Sequence, residues 1–182
     1  MRKQDYVLLN HCLNPLCRGQ CFHFQSVSKT TLFETTLQMD EIKIREACLN
    51  DSNSVAGLMS QLGYPTSGEE MKQRLEGILP DSDYMTFVAE HQKEVVGVIG
   101  VGIYRYYEQN GTYGRLLALV VDEKLKGQGI GASLVDEAER WMKERGVSSI
   151  VVNSGKQRSE AHRFYKRLGY EETGLRFVKS LS

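Results

Sequence analysis

The sequence has no excess of charge of either sign: 23 Lys and Arg stand against 23 Asp and Glu in 182 residues, and no block of like charges interrupts the mixture. Nucleic acid and anionic membrane surfaces need a concentrated basic patch, so neither is an expected partner, and a small molecule or a peptide is. Long apolar runs are also missing. After the basic start Met1-Arg2-Lys3, the stretch Tyr6-Val7-Leu8-Leu9 breaks at Asn10, too short for a signal peptide or a membrane span. Cysteine is scarce and badly spread for a disulfide framework: Cys12, Cys17 and Cys21 crowd the N-terminal segment and Cys48 stands alone. These absences predict a protein of the reducing cytoplasm, and the length suits one domain with a sizeable core. His11, Cys12, Cys17, Cys21 and His23 match no standard zinc spacing, so no metal is expected.

What is present begins near residue 40. Residues 1–39 show neither helical nor strand periodicity and read as an N-terminal extension of uncertain role, with Met39 as the expected natural start and the functional domain over 40–182. Glu41–Glu46 alternates Ile42 and Ile44 with charge, as a strand does. Asp51 offers an N-cap to a helix carrying Val55, Leu58, Met59 and Leu62, stopped by Gly63 and Pro65. Ser67 and Glu70 form a capping box before Met71, Leu75 and Ile78, stopped by Pro80. Strands are predicted at Tyr84–Glu90, Val95–Tyr106 and Thr112–Val121, joined by polar turns at His91–Glu94 and Asn110-Gly111. A helix over Gly129–Arg145 and a strand over Ser149–Asn153 give a crossover long enough to imply a parallel pair. Ser159–Leu168 reads as a last helix closed by Gly169, and Tyr170–Lys179 as a last strand. The order predicts an α+β fold, a mixed and mostly antiparallel sheet with helices on both faces in a three-layer α/β/α sandwich.

The segment Lys126-Gly127-Gln128-Gly129-Ile130-Gly131 lies between an apolar strand and a helix. Glycines let backbone N–H groups converge, and a helix N-terminus adds partial positive charge, a combination that suits a pyrophosphate. Glycines alone do not separate this from a turn that merely reverses the chain. A P-loop would need Gly-Lys-Ser or Gly-Lys-Thr where Ile130-Gly131-Ala132 stands. A dinucleotide fingerprint would need an acidic residue after the next strand, which ends at Asn153.

The spacing of Lys126, Gly129 and Gly131 after Leu119-Val120-Val121-Asp122, together with Ala161-His162-Arg163-Phe164-Tyr165-Lys166-Arg167-Leu168-Gly169-Tyr170, resembles the GNAT superfamily of N-acetyltransferases over roughly residues 41–178. Lys126 replaces the family's usual Arg or Gln, a mild departure where backbone amides do most of the phosphate binding. The resemblance implies an acyl-CoA N-acyltransferase-like fold and acetyl transfer from acetyl-CoA to an amine by direct attack. It further implies that Lys126, Gly127, Gln128, Gly129, Ile130 and Gly131 hold the pyrophosphate, while the backbone of Leu119, Val120 and Val121 pairs with the pantetheine arm. Asn153 is placed as a cofactor contact, although it also reads as a turn residue before Ser154-Gly155. Tyr165 matches a tyrosine that protonates the departing thiolate, a role open to a phenol of pKa about 10, although Phe164, Tyr165 and Leu168 also read as a core stripe. A homodimer is implied by resemblance only.

The general base is not legible. Relatives commonly carry a carboxylate where this chain has Leu117 and Ala118, and Glu90, Tyr104, Tyr106 and Glu108 are only neighbouring candidates. The apolar pair argues against a site built for polycationic aminoglycosides. Two rival readings stand beside the enzyme: a non-catalytic acyl-CoA sensor, and an interaction module whose turn is structural.

Overall fold

Alternating apolar residues in the middle of the chain become strands whose two faces are both covered, and this sets the layers. The computed structural model describes residues 42–181. The elements run β1 (Lys43–Glu46), α1 (Ser52–Gln61), α2 (Gly68–Ile78), β2 (Tyr84–His91), β3 (Glu94–Arg105), β4 (Thr112–Val121), α3 (Ile130–Glu144), β5 (Ile150–Val152) and α4 (Ser159–Arg167). The expectations for residues 1–39, including the Cys and His cluster, lie outside the described residues.

The sheet order is β1-β2-β3-β4-β5; the first three pairings are antiparallel and β4–β5 is parallel. The sheet is thus mixed and mostly antiparallel, as its short connections dictate. The β2–β3 hairpin turns through Gln92 and Lys93, both left-handed at φ 51° and 68°, the primed geometry that matches strand twist.

One face of the sheet, with Phe87, Ala89, Ile99, Val101 and Leu116, packs on the α3 stripe Ile130, Leu134, Val135, Ala138, Trp141 and Met142. Leu134 and Met142 are fully buried, each worth roughly 1.5–3 kcal/mol in area removed from water. The opposite face, with Val88, Val98 and Val120, packs on Val55 and Leu58 of α1 and Met71 and Leu75 of α2. Gly114 lets α3 approach β4, because a Cβ there would collide with Met142 Sδ.

The helix punctuation is local and takes the expected form. The capping box closes reciprocally, Glu70 N–H donating to Ser67 Oγ at 3.2 Å and Ser67 N–H to Glu70 Oε2 at 2.8 Å. Gly63, Gly146 and Gly169 adopt φ of 97°, 73° and 88° at helix ends.

Two expectations are corrected. Asp51 does not cap α1 through its side chain; its carboxylate binds Arg45 at 2.8 and 2.9 Å and accepts the Cys48 N–H at 2.8 Å, a stronger set of charge-assisted partners. Nor do residues 170–179 form a strand: beyond Tyr170 the chain has no regular structure and is exposed through residue 181. The pattern Leu175-Arg176-Phe177-Val178-Lys179 has strand propensity, but a strand exists only where an edge pairs with it, and no described edge does. No helix among the described residues is long and apolar enough to cross a membrane.

Candidate active site

The parallel pairing of β4 with β5 is short. It joins Gly114–Leu116 to Ile150–Val152 and ends there, whereas β4 continues to Val121 beside β3. Beyond Leu116 no strand among the described residues lies against the β5-facing side of β4, so the sheet opens into a wedge. At its apex the β3–β4 register shifts between Gly100 and Val101, which pair with Ala118 and Leu116, so Leu117 is the extra residue of a β-bulge. At the wide end Asp122 takes the Lys124 N–H at 2.9 Å, and the chain passes through the tight turn Glu123–Leu125 into the glycine segment.

That segment has the conformation its residues allow. Gly127 and Gly129 are both left-handed at φ 84°, and a Cβ on either would meet nothing within 4 Å, so their outer side is open. Gly129 is the N-cap of α3 and brings no side chain to the helix's first N–H groups, and the first turn holds no acidic residue. Unsatisfied N–H groups, the positive end of the helix dipole and open space make an anion seat that fits a pyrophosphate. Lys126 and Gln128 are exposed; the Lys126 ammonium lies 3.4 Å from Glu123. Ile130 is 2% exposed and anchors the turn in the core, and Gly131 lies against Phe164, whose ring is 3.5 Å from where a Cβ would sit, an ordinary contact distance.

Leu119 and Val121 pack against the α3-side core and Val120 against the α1 and α2 side. Their side chains are core, which leaves the backbone edge as the part that faces the wedge. Asn153 is exposed and follows directly on β5, where that strand leaves β4. Tyr165 sits on α4 with its ring edge-on to Phe164 at 5.2 Å and Tyr170 at 5.5 Å. The ring belongs to the core cluster, yet among the described residues nothing hydrogen-bonds its hydroxyl. Burial pushes the phenol above its ordinary range, partly offset by the Arg158 charge. Tyr170, by contrast, donates its hydroxyl to Glu139 at 2.7 Å.

The candidate bases are already occupied. Glu90 is held by Arg45 at 2.9 Å. Tyr104 lies 3.4 Å from the Tyr84 hydroxyl and is pushed up to about 12, by burial first and by that neighbour second. Tyr106 is hydrogen-bonded to Ser149 at 2.5 Å, and Glu108 is exposed and accepts the Tyr107 N–H at 3.2 Å. Leu117, at the bulge, is 47% exposed. His162 pairs with the Gly155 carbonyl at 3.0 Å.

A second feature was not read from sequence. On the α1 and α2 face, next to the bulge, the sheet carries Gly100, Gly102 and Ala118, and a Cβ at Gly100 would meet nothing within 4 Å. Tyr84, Tyr104 and Tyr113 rise around this floor, with ring centroids 6.3 Å apart for the first pair and 5.6 Å for the second. Two glycines on one face of a strand were the available signal, since glycine in a strand marks close approach of another group.

The comparisons bear on family and fold. Residues 53–170 match the model of the acetyltransferase (GNAT) family. An aminoalkylphosphonate N-acetyltransferase of Salmonella typhimurium is 28% identical over 144 residues, covering 79% of this chain and 94% of that one. An uncharacterised N-acetyltransferase of Chlorobaculum tepidum is 30% identical over 133 residues, covering 71% and 75%. A GNAT family acetyltransferase of Staphylococcus aureus superposes with TM-score 0.67 at 29% identity over 77% of this chain and 98% of that chain. An aminoglycoside acetyltransferase in complex with a bisubstrate analogue containing CoA superposes with TM-score 0.70 over 78% of this chain and 99% of that one, at 18% identity, a likeness of fold. The chain belongs to the acetyltransferase (GNAT) family and is an acyltransferase that draws its acetyl group from acetyl-CoA.

Proposed function

We propose that the acceptor is a primary amine of a small molecule or a peptide, acetylated by direct attack within the β4–β5 wedge. The observation that carries this reading is the wedge itself: one continuous strand edge runs from an anion seat at Gly127–Gly131 to a bulge at Leu117. The amides of Lys126, Gly127, Gln128, Gly129, Ile130 and Gly131 bind the pyrophosphate. The backbone of Leu119, Val120 and Val121 orients the pantetheine arm, with Asn153 reaching it from the end of β5. Acetyl-CoA supplies an acyl carbon activated as a thioester. The amine nitrogen forms a bond to that carbon, the carbon–sulfur bond breaks, the amine loses a proton, and the thiolate gains one.

Tyr165 holds the proton that the thiolate takes. A phenol of pKa about 10 giving a proton to a thiolate near 8.5 works uphill by about 2 kcal/mol, and its burial steepens that slope. Its contribution is therefore modest, and most of the acceleration comes from holding the reactants in register. No carboxylate stands at Leu117 or Ala118 to collect the amine proton, so water collects it. The exposed apolar residues Leu175, Phe177, Val178 and Leu181 support a homodimer, which sedimentation velocity of the protein and of Phe177→Asp tests.

The reading is tested by a thiol-release assay with acetyl-CoA and a panel of amines. Release that depends on the amine, with the N-acetyl product identified by mass spectrometry, is expected. Amine-independent thiol release, or none, from protein that binds acetyl-CoA contradicts it.

A further inference from the structure

The floor beside the bulge is open for a reason that the wall explains. Gly102 lies between Tyr84 on β2 and Arg115 on β4, its partners in register, so all three project from the same face of the sheet. A Cβ at Gly102 would approach the Tyr104 and Tyr84 rings to 3.1–3.2 Å, so the glycine is what lets the rings close over the floor. The result is an open glycine floor with tyrosine rings from β2, β3 and β4 around it and Arg115 of β4 beside Gly102, close enough for its charge to act on Tyr104. The Arg115 side chain is half-buried, and among the described residues no carboxylate pairs or hydrogen-bonds with it. Arg45 faces an acid, and Arg158, the other half-buried arginine without a carboxylate, donates to the Leu62 carbonyl at 2.8 Å; no such hydrogen bond holds Arg115 among the described residues. A half-buried arginine with no carboxylate partner among the described residues, beside an open glycine floor, is a binding group for an anion that arrives from outside.

Arg115 precedes the bulge by two residues, about 7 Å along the strand. That interval is short enough for one small molecule to span. Resting on the acetyl-transfer reading above, we infer that the acceptor is a small amine that also carries an anionic group, a carboxylate or a phosphonate, and that Arg115 binds that group while the amine reaches the bulge at Leu117. The single positive charge of Arg115 also disfavours diamines and polyamines.

The test compares kcat/KM for propylamine, putrescine, β-alanine and aminoethylphosphonate, in the intact protein and in Arg115→Met and Arg115→Lys. Charge-assisted bidentate pairing predicts that the anionic amines exceed propylamine by about 10- to 100-fold, with putrescine lowest. β-Alanine against aminoethylphosphonate decides which anion is preferred. Arg115→Met abolishes the preference through the acceptor KM, Arg115→Lys restores part of it, and calorimetric affinity for acetyl-CoA stays unchanged in both. If propylamine or putrescine is acetylated as well as either anionic amine, or Arg115→Met keeps the preference, this inference falls while the acetyl-transfer reading stands. If no amine releases thiol from protein that binds acetyl-CoA, that reading falls and takes the inference with it.

Discussion

Replacing Gly129 by Glu puts a carboxylate into the proposed pyrophosphate seat, and the structure separates the consequences for folding from those for binding. The position is left-handed at φ 84°, and a side chain there meets nothing within 4 Å, so the folding cost is the backbone strain of a non-glycine residue, about 1–2 kcal/mol. A carboxylate at the N-terminus of α3 returns about 0.3–1 kcal/mol through the helix dipole, leaving a net loss of about 1 kcal/mol and a fall in Tm of about 3 °C. Binding suffers far more. A carboxylate about 5 Å from one phosphate charge repels it by about 3 kcal/mol at an effective dielectric constant near 20, or about two orders of magnitude in Kd. Gly129→Gln carries the same strain and bulk without the charge, so the difference between Glu and Gln isolates electrostatics. Calorimetric titration with CoA at low salt reads the difference, which shrinks at high salt as the screening length shortens over the exposed seat. If the Glu and Gln variants, both folded by circular dichroism, bind CoA within threefold of each other, the pyrophosphate is not held at this turn.

Three further outcomes are expected. Tyr165→Phe lowers kcat by about 10- to 100-fold, below the usual range for an acid because the leaving thiolate is weakly basic, and leaves Tm unchanged because no described group hydrogen-bonds the hydroxyl; a stopped-assay rate within twofold of the parent removes Tyr165 from the chemistry. With no base at the bulge, log kcat/KM rises by about one per pH unit between about 7 and 9, as an amine of pKa about 10.4 deprotonates; a plateau above a break near pH 6 instead reveals a base in the protein. Asp51→Asn costs about 2 kcal/mol at pH 7, since Asp51 is 7% exposed and binds Arg45. The Arg45 guanidinium holds the Asp51 carboxyl below its ordinary pKa, so this stability is present above the unfolded value near 4 and is lost as pH falls through the lower folded value. Urea unfolding at pH 7 and pH 3 therefore shows the gap between variant and parent closing in acid; a gap that stays constant refutes the ion-pair account.

The sequence made legible what is decided over a few neighbouring residues. Ser67 and Glu70 close their capping box because both partners lie within one turn. Gly63, Gly129, Gly146 and Gly169 mark helix boundaries because only glycine takes positive φ there without strain. The left-handed glycine turn before α3, where the pyrophosphate seat is proposed, lies with its strand and helix in one stretch of chain, so its conformation too is readable in order. The bulge at Leu117 and the floor at Gly102 and Arg115 depend on which residue of β3 stands opposite which residue of β4, and register is a property of two strands. Asp51 stands at the N-cap position of α1, as read, but its carboxylate goes to Arg45 across a turn rather than to the helix it precedes, a pairing no local pattern reports. The last predicted strand had the composition of a strand and no edge to pair with, which no local pattern reports.

The central claim is that acetyl-CoA lies along the β4–β5 wedge, from the glycine turn to the bulge. Hydrogen–deuterium exchange of the whole protein, with and without acetyl-CoA, tests it most directly, because bound amides exchange more slowly and can be located along the chain. The account predicts protection concentrated at residues 117–121 and 127–132, with little change in α2. Protection elsewhere in the domain, with those two segments unchanged, would contradict it.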